Sequence, residues 1–455
     1  MKILNVLGVH ARVLRAAYIG GRLHAAVVRW TAGELLESAL RAARRAKYLD
    51  VALTSVRSVK ATGDEGSEEV VESGQEHLTV RALTVGYATA SSSSVSAESA
   101  AALAESAERS SLAAERAVRL APVDSSSGER RSAKDRAGME EALAVLRELG
   151  SALGKIGAGR RRLSFEQISV RRSIATSEGS EVYEETTVNM LTVELALPNG
   201  LRVRRALGIQ GPVGGGLVDA VAESVADEVR VASREPASLS PLYRGSRFTV
   251  IMDHEAAGAL AEAVAGATSS AALMYSLAAS SRVAVLDEPR LPGAPGSRVW
   301  DDEGVSTRPK TLLSPGGFSR LGTRLTASSG SEAGNAYGLP GSPRPGHSNV
   351  HIRAGDWSSE EIWDEAGEAF LLRGAEGLEL DEHGVLTLRP RAAYLRRRDG
   401  DLIPLRGLTV RDRLDWLLSH VRGASKDVFI APELADGVPR GRGGPLLLID
   451  SARLS

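Results

Sequence analysis

Two periods of apolar residues alternate along this chain, and the switches between them outline its elements. Spacings of three and four predict a helix over Ala32–Lys47, and the alternating run Asp50–Val56 predicts a strand. Thr62–Ser67 is a polar turn, and His77–Tyr87 alternates again as a second strand. A helix of Ala, Glu and Leu follows from Ser96 to Arg119, with Ser96 as its N-cap and Glu98 complementing its first turn. Pro122–Arg136 is rich in Ser and charge and predicts a mobile connection. Met139–Leu149 predicts a helix. Strands are expected at Ile168–Ala175, at Val182–Leu197 with a break midway, and at Leu201–Ile209. Ser177-Glu178-Gly179 and Pro198-Asn199-Gly200 supply the turns. A helix over Leu217–Ala232 closes this half, and Arg234–Arg247, rich in Pro and Ser, marks the main boundary. Beyond it, one helix (Ala256–Val264) precedes many short strands and long Gly/Pro loops, the pattern of a mostly β region.

The fold class expected is therefore α+β: an N-terminal domain containing α/β elements, then a larger, mostly β C-terminal domain. The boundaries expected are an extension at 1–32, a domain at 33–210, a helix and linker at 211–242, and a domain at 243–455. At 455 residues, more than one domain is expected.

Charge changes this picture little. Lys and Arg total 56 against 57 Asp and Glu, so no global field draws the chain to nucleic acid or to an acidic membrane. Residues 1–32 carry five basic and no acidic residues. No apolar run reaches the roughly 20 residues of a membrane span, and the absence of cysteine removes disulfides, thiolate zinc sites and cysteine nucleophiles. These features predict a cytoplasmic protein.

Four segments invite chemistry. His254-Glu255 resembles the start of a zinc-protease helix, but the second histidine such a helix needs four residues on is Gly258. The pair then reads as a helix start facing solvent. None of His10, His24, His77, His383 or His420 has a histidine partner at helical spacing, and His347 and His351 fall on an expected strand. Gly150–Ile156 has three residues between its glycines and Ile156 where a phosphate loop needs Ser or Thr, and Gly211–Gly216 lacks an adjacent lysine. Both read as turns. Arg160–Arg162 with Arg171-Arg172 could face nucleic acid, yet Phe165 is the one aromatic among them, so a solvated strand edge is expected. Trp300-Asp301-Asp302-Glu303-Gly304 lacks the alternating ligands of a calcium loop and reads as a tight turn.

Several segments together resemble the TldD/PmbA family, peptidase subunits once described as modulators of DNA gyrase. Val283–Gly293, with Asp287-Glu288-Pro289 and Leu291-Pro292-Gly293, precedes Trp300–Gly304 as in that family. Ser177-Glu178-Gly179, Ser348-Asn349, Gly355-Asp356 and Gly444–Ile449 fall in family order, so the likeness covers roughly residues 33–455. The resemblance implies a zinc helix of the type L-H-E-A-V-G-H, and the matching stretch is Leu260–Gly266. Ala261 and Gly266 stand at the two histidine positions and Glu262 at the glutamate. Histidines five apart lie about 140° apart on a regular helix, so the zinc version would unwind at its glycine, where this chain has Ala265. The resemblance thus implies the metal-free TldE or PmbA type of subunit. Expected with it are no cofactor in this chain, zinc in a TldD-like homologous partner, and peptide substrates met through strand edges, with a homodimer possible in isolation. The readings competing with it are an autonomous metallopeptidase using ligands such as His254 and a regulatory protein acting on DNA gyrase.

Overall fold

The computed structural model describes residues 30–64, 67–131, 137–154, 156, 160–213, 215–240, 243–327 and 331–455. The basic extension falls almost wholly outside these residues, as do His10, His24 and Lys155.

The N-terminal half is built on one long sheet. Its strands are β1 (Tyr48–Asp64), β2 (Ser67–Leu83), β3 (Tyr87–Ser92), β4 (Ser127–Arg131), β5 (Arg161–Thr176), β6 (Glu181–Ala196) and β7 (Arg202–Ile209). They lie in the order β3-β2-β1-β5-β6-β4, with β7 also on β6. The ladder between β1 and β2 runs from Tyr48 opposite Leu83 to Asp64 opposite Ser67. The segment from Ser67 to Glu76 carries no hydrophobic alternation because its side chains face solvent on both sides; backbone pairing alone makes it a strand. β6 runs unbroken along β5, and β4, in the segment expected to be mobile, pairs parallel with β6 from Ser127 to Arg131.

Helices α1 (Ala32–Ala42) and α2 (Ala97–Leu112) are both shorter than their periodicity suggests. Thr31 caps α1 in a reciprocal capping box with Glu34, and Ser96 caps α2 by accepting from the Ser99 amide. Their apolar stripes, Leu35 and Ala39 with Ala100 and Ala104, close over Leu49, Val51, Leu78 and Val80. Helices α3 (Met139–Leu153) and α4 (Gly215–Ala232) cover the far end of the sheet. Their core includes Leu146, Val193 and Val225, and it continues into Ile251, Leu371 and Leu448 of the C-terminal half.

The C-terminal half is strand-rich, but its described residues hold four helices where the sequence suggested one: α5 (His254–Ala267), α6 (Ala271–Ser280), α7 (Ser359–Ala366) and α8 (Leu414–Ser419). A seven-stranded sheet holds Arg247–Met252 between Leu447–Arg453 and Ala369–Arg373. A six-stranded sheet includes Val285–Asp287, Asn349–Ile352, Val438–Gly444 and Phe429–Ala435. α5 is packed into the core that both sheets share, which is why residues all round it are buried. No described helix is long and apolar enough to cross a membrane.

Candidate functional site

Asp253 starts α5 by accepting the Ala256 amide at 2.8 Å and the Gly374 amide at 2.9 Å. The helix then lies directly on the strand Val438–Gly444. A Cβ on Gly258 would meet the Gly443 nitrogen at 2.7 Å and its Cα at 2.8 Å. The position where a zinc-protease helix would carry its second histidine therefore requires a residue with no side chain.

The pair at the start of α5 does not face solvent as its sequence suggests. His254 is bonded through Nδ1 to the Gly444 carbonyl at 2.8 Å. Glu255 is fixed by Arg391 through bonds of 2.8 and 3.1 Å, with Arg205 at 3.7 Å. Burial opposes ionisation of Glu255, but Arg391 and Arg205 outweigh it and hold its carboxyl below the usual range. Both side chains have structural partners.

Further along α5, Ala261 is fully buried, whereas Gly266 is exposed and a Cβ there would meet nothing. The helix runs regularly through Ala265, without unwinding. Glu262 between them is ion-paired with Arg442 of the strand Val438–Gly444. Glu433 of the neighbouring strand sits close by. Burial pushes its carboxyl up, the charge of Glu262 adds to this, and Arg442 opposes it. The Glu433–Arg442 corner ends a cavity of about 640 Å³ that crosses one face of the long sheet, where Lys60, Glu166, Arg204 and Glu194 line it. On the other side of Glu262 is a second groove of about 600 Å³, reaching Gly266, His347 and Arg440.

The remaining sequence candidates separate. His347 precedes the strand Asn349–Ile352 rather than lying on it. His351 on that strand is engaged by Glu288 at 2.8 Å. His383 is exposed beside Glu382, and His420 stacks on Trp416. Gly150 lies inside α3 and Gly154 caps its end, so no phosphate-binding strand-to-helix turn forms there. Gly211 precedes α4, and Gly214 lies outside the described residues.

The arginine clusters are not a strand edge, since β5 is central between β1 and β6. Arg161 and Arg162 are exposed at its start, Arg171 pairs with Glu185 at 3.4 Å, and Arg172 is buried against Glu184 at 2.9 Å and Asp302 at 3.3 Å. Asp302 belongs to the acidic stretch, which forms a turn as expected and is buried. It also takes Arg298 at 3.2 Å, while its backbone carbonyl accepts from Arg81 at 2.7 Å. Asp301 accepts the amides of Glu303, Val305 and Ala336. Sequence reasoning missed this network; the signal available was a run of three acids followed within the same loop system by buried-compatible glycine turns, which does not name the distant arginines.

The Asp287 and Ser348-Asn349 motifs meet as a brace. Asp287 is fully buried and accepts the Ser348 amide and hydroxyl at 2.8 Å, the Asn349 amide at 3.2 Å and the Asn335 side chain at 2.7 Å. Asn349 in turn holds the Gly296 amide and the Glu288 carbonyl. These motif residues order the loop beside the acidic turn.

Residues 245–455, the part of the chain that carries α5 and this brace, match the family model of the PmbA/TldA metallopeptidase C-terminal domain. The likeness to the PmbA/TldD family is thus shown for residues 245–455. Among its relatives, a metalloprotease of Methanocaldococcus jannaschii is 26% identical over 62% of this chain and 67% of its own length. A metalloprotease of Methanothermobacter thermautotrophicus is 28% identical over 49% of this chain, the match spanning about half (51%) of that relative. The fold is similar to that of TldE from Thermococcus kodakarensis, with a TM-score of 0.76 at 16% identity over 92% of this chain and 100% of that one. It is also similar to a candidate DNA gyrase modulator from Thermotoga maritima, with a TM-score of 0.71 at 14% identity over 93% and 100%. α5 carries the Leu260–Gly266 stretch singled out in the sequence.

Proposed function

We propose that this chain is a non-catalytic subunit of a heteromeric zinc peptidase of the TldD/TldE type, acting on unfolded or short peptides together with a histidine-bearing homologue. The observation that carries this reading is the state of the Ala261–Gly266 stretch. Zinc needs nitrogen, sulfur or oxygen donors, and neither Ala261 nor Gly266 has one. The glutamate that would serve as base is instead neutralised by Arg442, whose cation would repel a metal ion at the same place. The residues present do not fit zinc, and no catalytic step is assigned to them.

Ala261 is moreover sealed inside the core, so a histidine there would overpack the helix. The polar cavity across the long sheet suits the backbone of an extended peptide, and β7 and the outer half of β2 leave backbone groups open along the sheet edges for strand addition. A cytoplasmic location belongs to the same proposal.

The test is reconstitution. Expressed alone, the chain is expected to bind no stoichiometric zinc and to cleave no peptide. Co-expressed with a homologue bearing H-E-x-x-x-H, it is expected to co-purify and to yield peptidase activity that is lost when the homologue's histidines are replaced. Stoichiometric zinc in the isolated chain, removed by His254→Ala, would overturn the reading, as would recovery of gyrase subunits without any peptidase homologue.

A further inference from the structure

The groove beside Gly266 is lined by two polar groups, His347 and Arg440. His347 is 8% exposed, and its Nε2 is buried without a hydrogen-bond partner. A buried polar atom left unpaired is costly unless something else satisfies it. Arg440 lines the same groove, makes no ion pair among the described residues, and lies 5.6 Å from the centre of the Tyr337 ring.

The charges around these two groups decide which ligand is compatible. Glu262 is already neutralised by Arg442. Glu433 stands opposite Arg440 in the strand register; burial and the charge of Glu262 push its carboxyl up, while Arg442 and Arg440 oppose this. Asp381 is held by the amides of His383 and Val385 in its own turn. Burial keeps His347 below the ordinary histidine range, with Asp287 opposing this and Arg440 reinforcing it, and Arg440 is the cation that lines this groove. A guanidinium fork matches a carboxylate. A dianion such as phosphate would meet Glu262, Asp381 and Glu382 on the groove walls. Beside the polar end lies an aliphatic wall of Leu273, Leu321, Leu378 and Leu380.

We propose that this groove binds the C-terminal carboxylate of a peptide, with Arg440 and His347 holding the carboxylate and the leucine wall taking an aliphatic terminal side chain. The identity of the ligand rests on the peptide reading above; the groove itself does not depend on a partner subunit.

The experiment uses the full chain alone and dye-labelled pentapeptides ending in leucine, as free acid and as carboxamide, followed by fluorescence anisotropy, with 4-methylpentanoate as competitor. The free acid is expected to bind roughly 10-fold or more tightly than the amide, the cost of losing a charged hydrogen-bonded partner. Arg440→Gln is expected to erase that difference while leaving weak binding of both peptides. Equal affinity for acid and amide in the wild-type chain overturns the proposal, without reference to any variant. So does the absence of binding, and so does displacement by 4-methylpentanoate at the peptide's own affinity, which would assign the groove to free small acids. If the acid is preferred but the chain fails to join a histidine-bearing homologue, the subunit reading fails and this one stands.

Discussion

Among single residues, the acidic turn carries the strongest consequence. Burial raises Asp301 to about 6, against the three amides it accepts, and burial together with the charge of Asp301 raises Glu303 to about 8. Ordinary carboxylates titrate near about 4, so the native state holds protons that the unfolded chain has already released. Stability from this pair is therefore fully present below about pH 4 and is lost as pH rises through about 6 and then about 8. Denaturant unfolding at pH 5 and pH 8 should find the wild type less stable at the higher value. Glu303→Gln, which keeps an acceptor for the Arg324 amide, should flatten the decline by at least about 1 kcal/mol, the worth of one pKa unit. An unchanged pH slope in the variant would remove Glu303 as its source.

At the scale of the element, α5 places two glycines in opposite circumstances. Gly258 is pressed against the strand backbone at Gly443, and Gly443 in turn could carry no Cβ, which would meet the Phe429 carbonyl. Gly266 faces open space near the end of the same helix. Gly258→Ala is expected to destabilise by about 1–3 kcal/mol through overpacking, whereas Gly266→Ala should be neutral or stabilise by up to about 1 kcal/mol through helix propensity. Opposite shifts in the thermal midpoint would support this packing of α5; a tolerated Gly258→Ala would contradict it. Ala257 packs on the same strand, where a Cβ on Gly444 would meet its Cβ at 3.0 Å.

For the whole molecule, the long sheet and the C-terminal half are joined by apolar and ionic contacts. Val193 and Leu146 share a core with Ile251 and Leu448, and Arg172 of β5 ties Glu184 to Asp302. Arg172→Ala would leave both carboxylates buried without that cation. Arg298 stays beside Asp302 and Arg130 beside Glu184, so a loss of about 1–3 kcal/mol is expected, measured as a lower denaturant midpoint in probes of both halves together. A midpoint that moves in one half alone would show that the two are not coupled through this residue.

The sequence by itself determined the α+β class, the cap at Ser96, the turns at Gly179 and Gly200, and the lack of donors at Ala261 and Gly266. Each of these is a property of a residue or a short pattern, so it survives without knowledge of distant neighbours. The segments it misread have a different cause. The outer half of β2 is a strand through pairing with β1, not through hydrophobic alternation, and α6 to α8 are short elements stabilised by packing. Glu255, Arg172 and Asp302 look like surface charges because charge favours water; only the tertiary structure supplies the partners, 136 residues away for Glu255 and 130 for Arg172, that make burial tolerable. Likewise, Gly258 and Glu262 acquire their meaning from Gly443 and Arg442, on a strand that reaches α5 only when the chain folds.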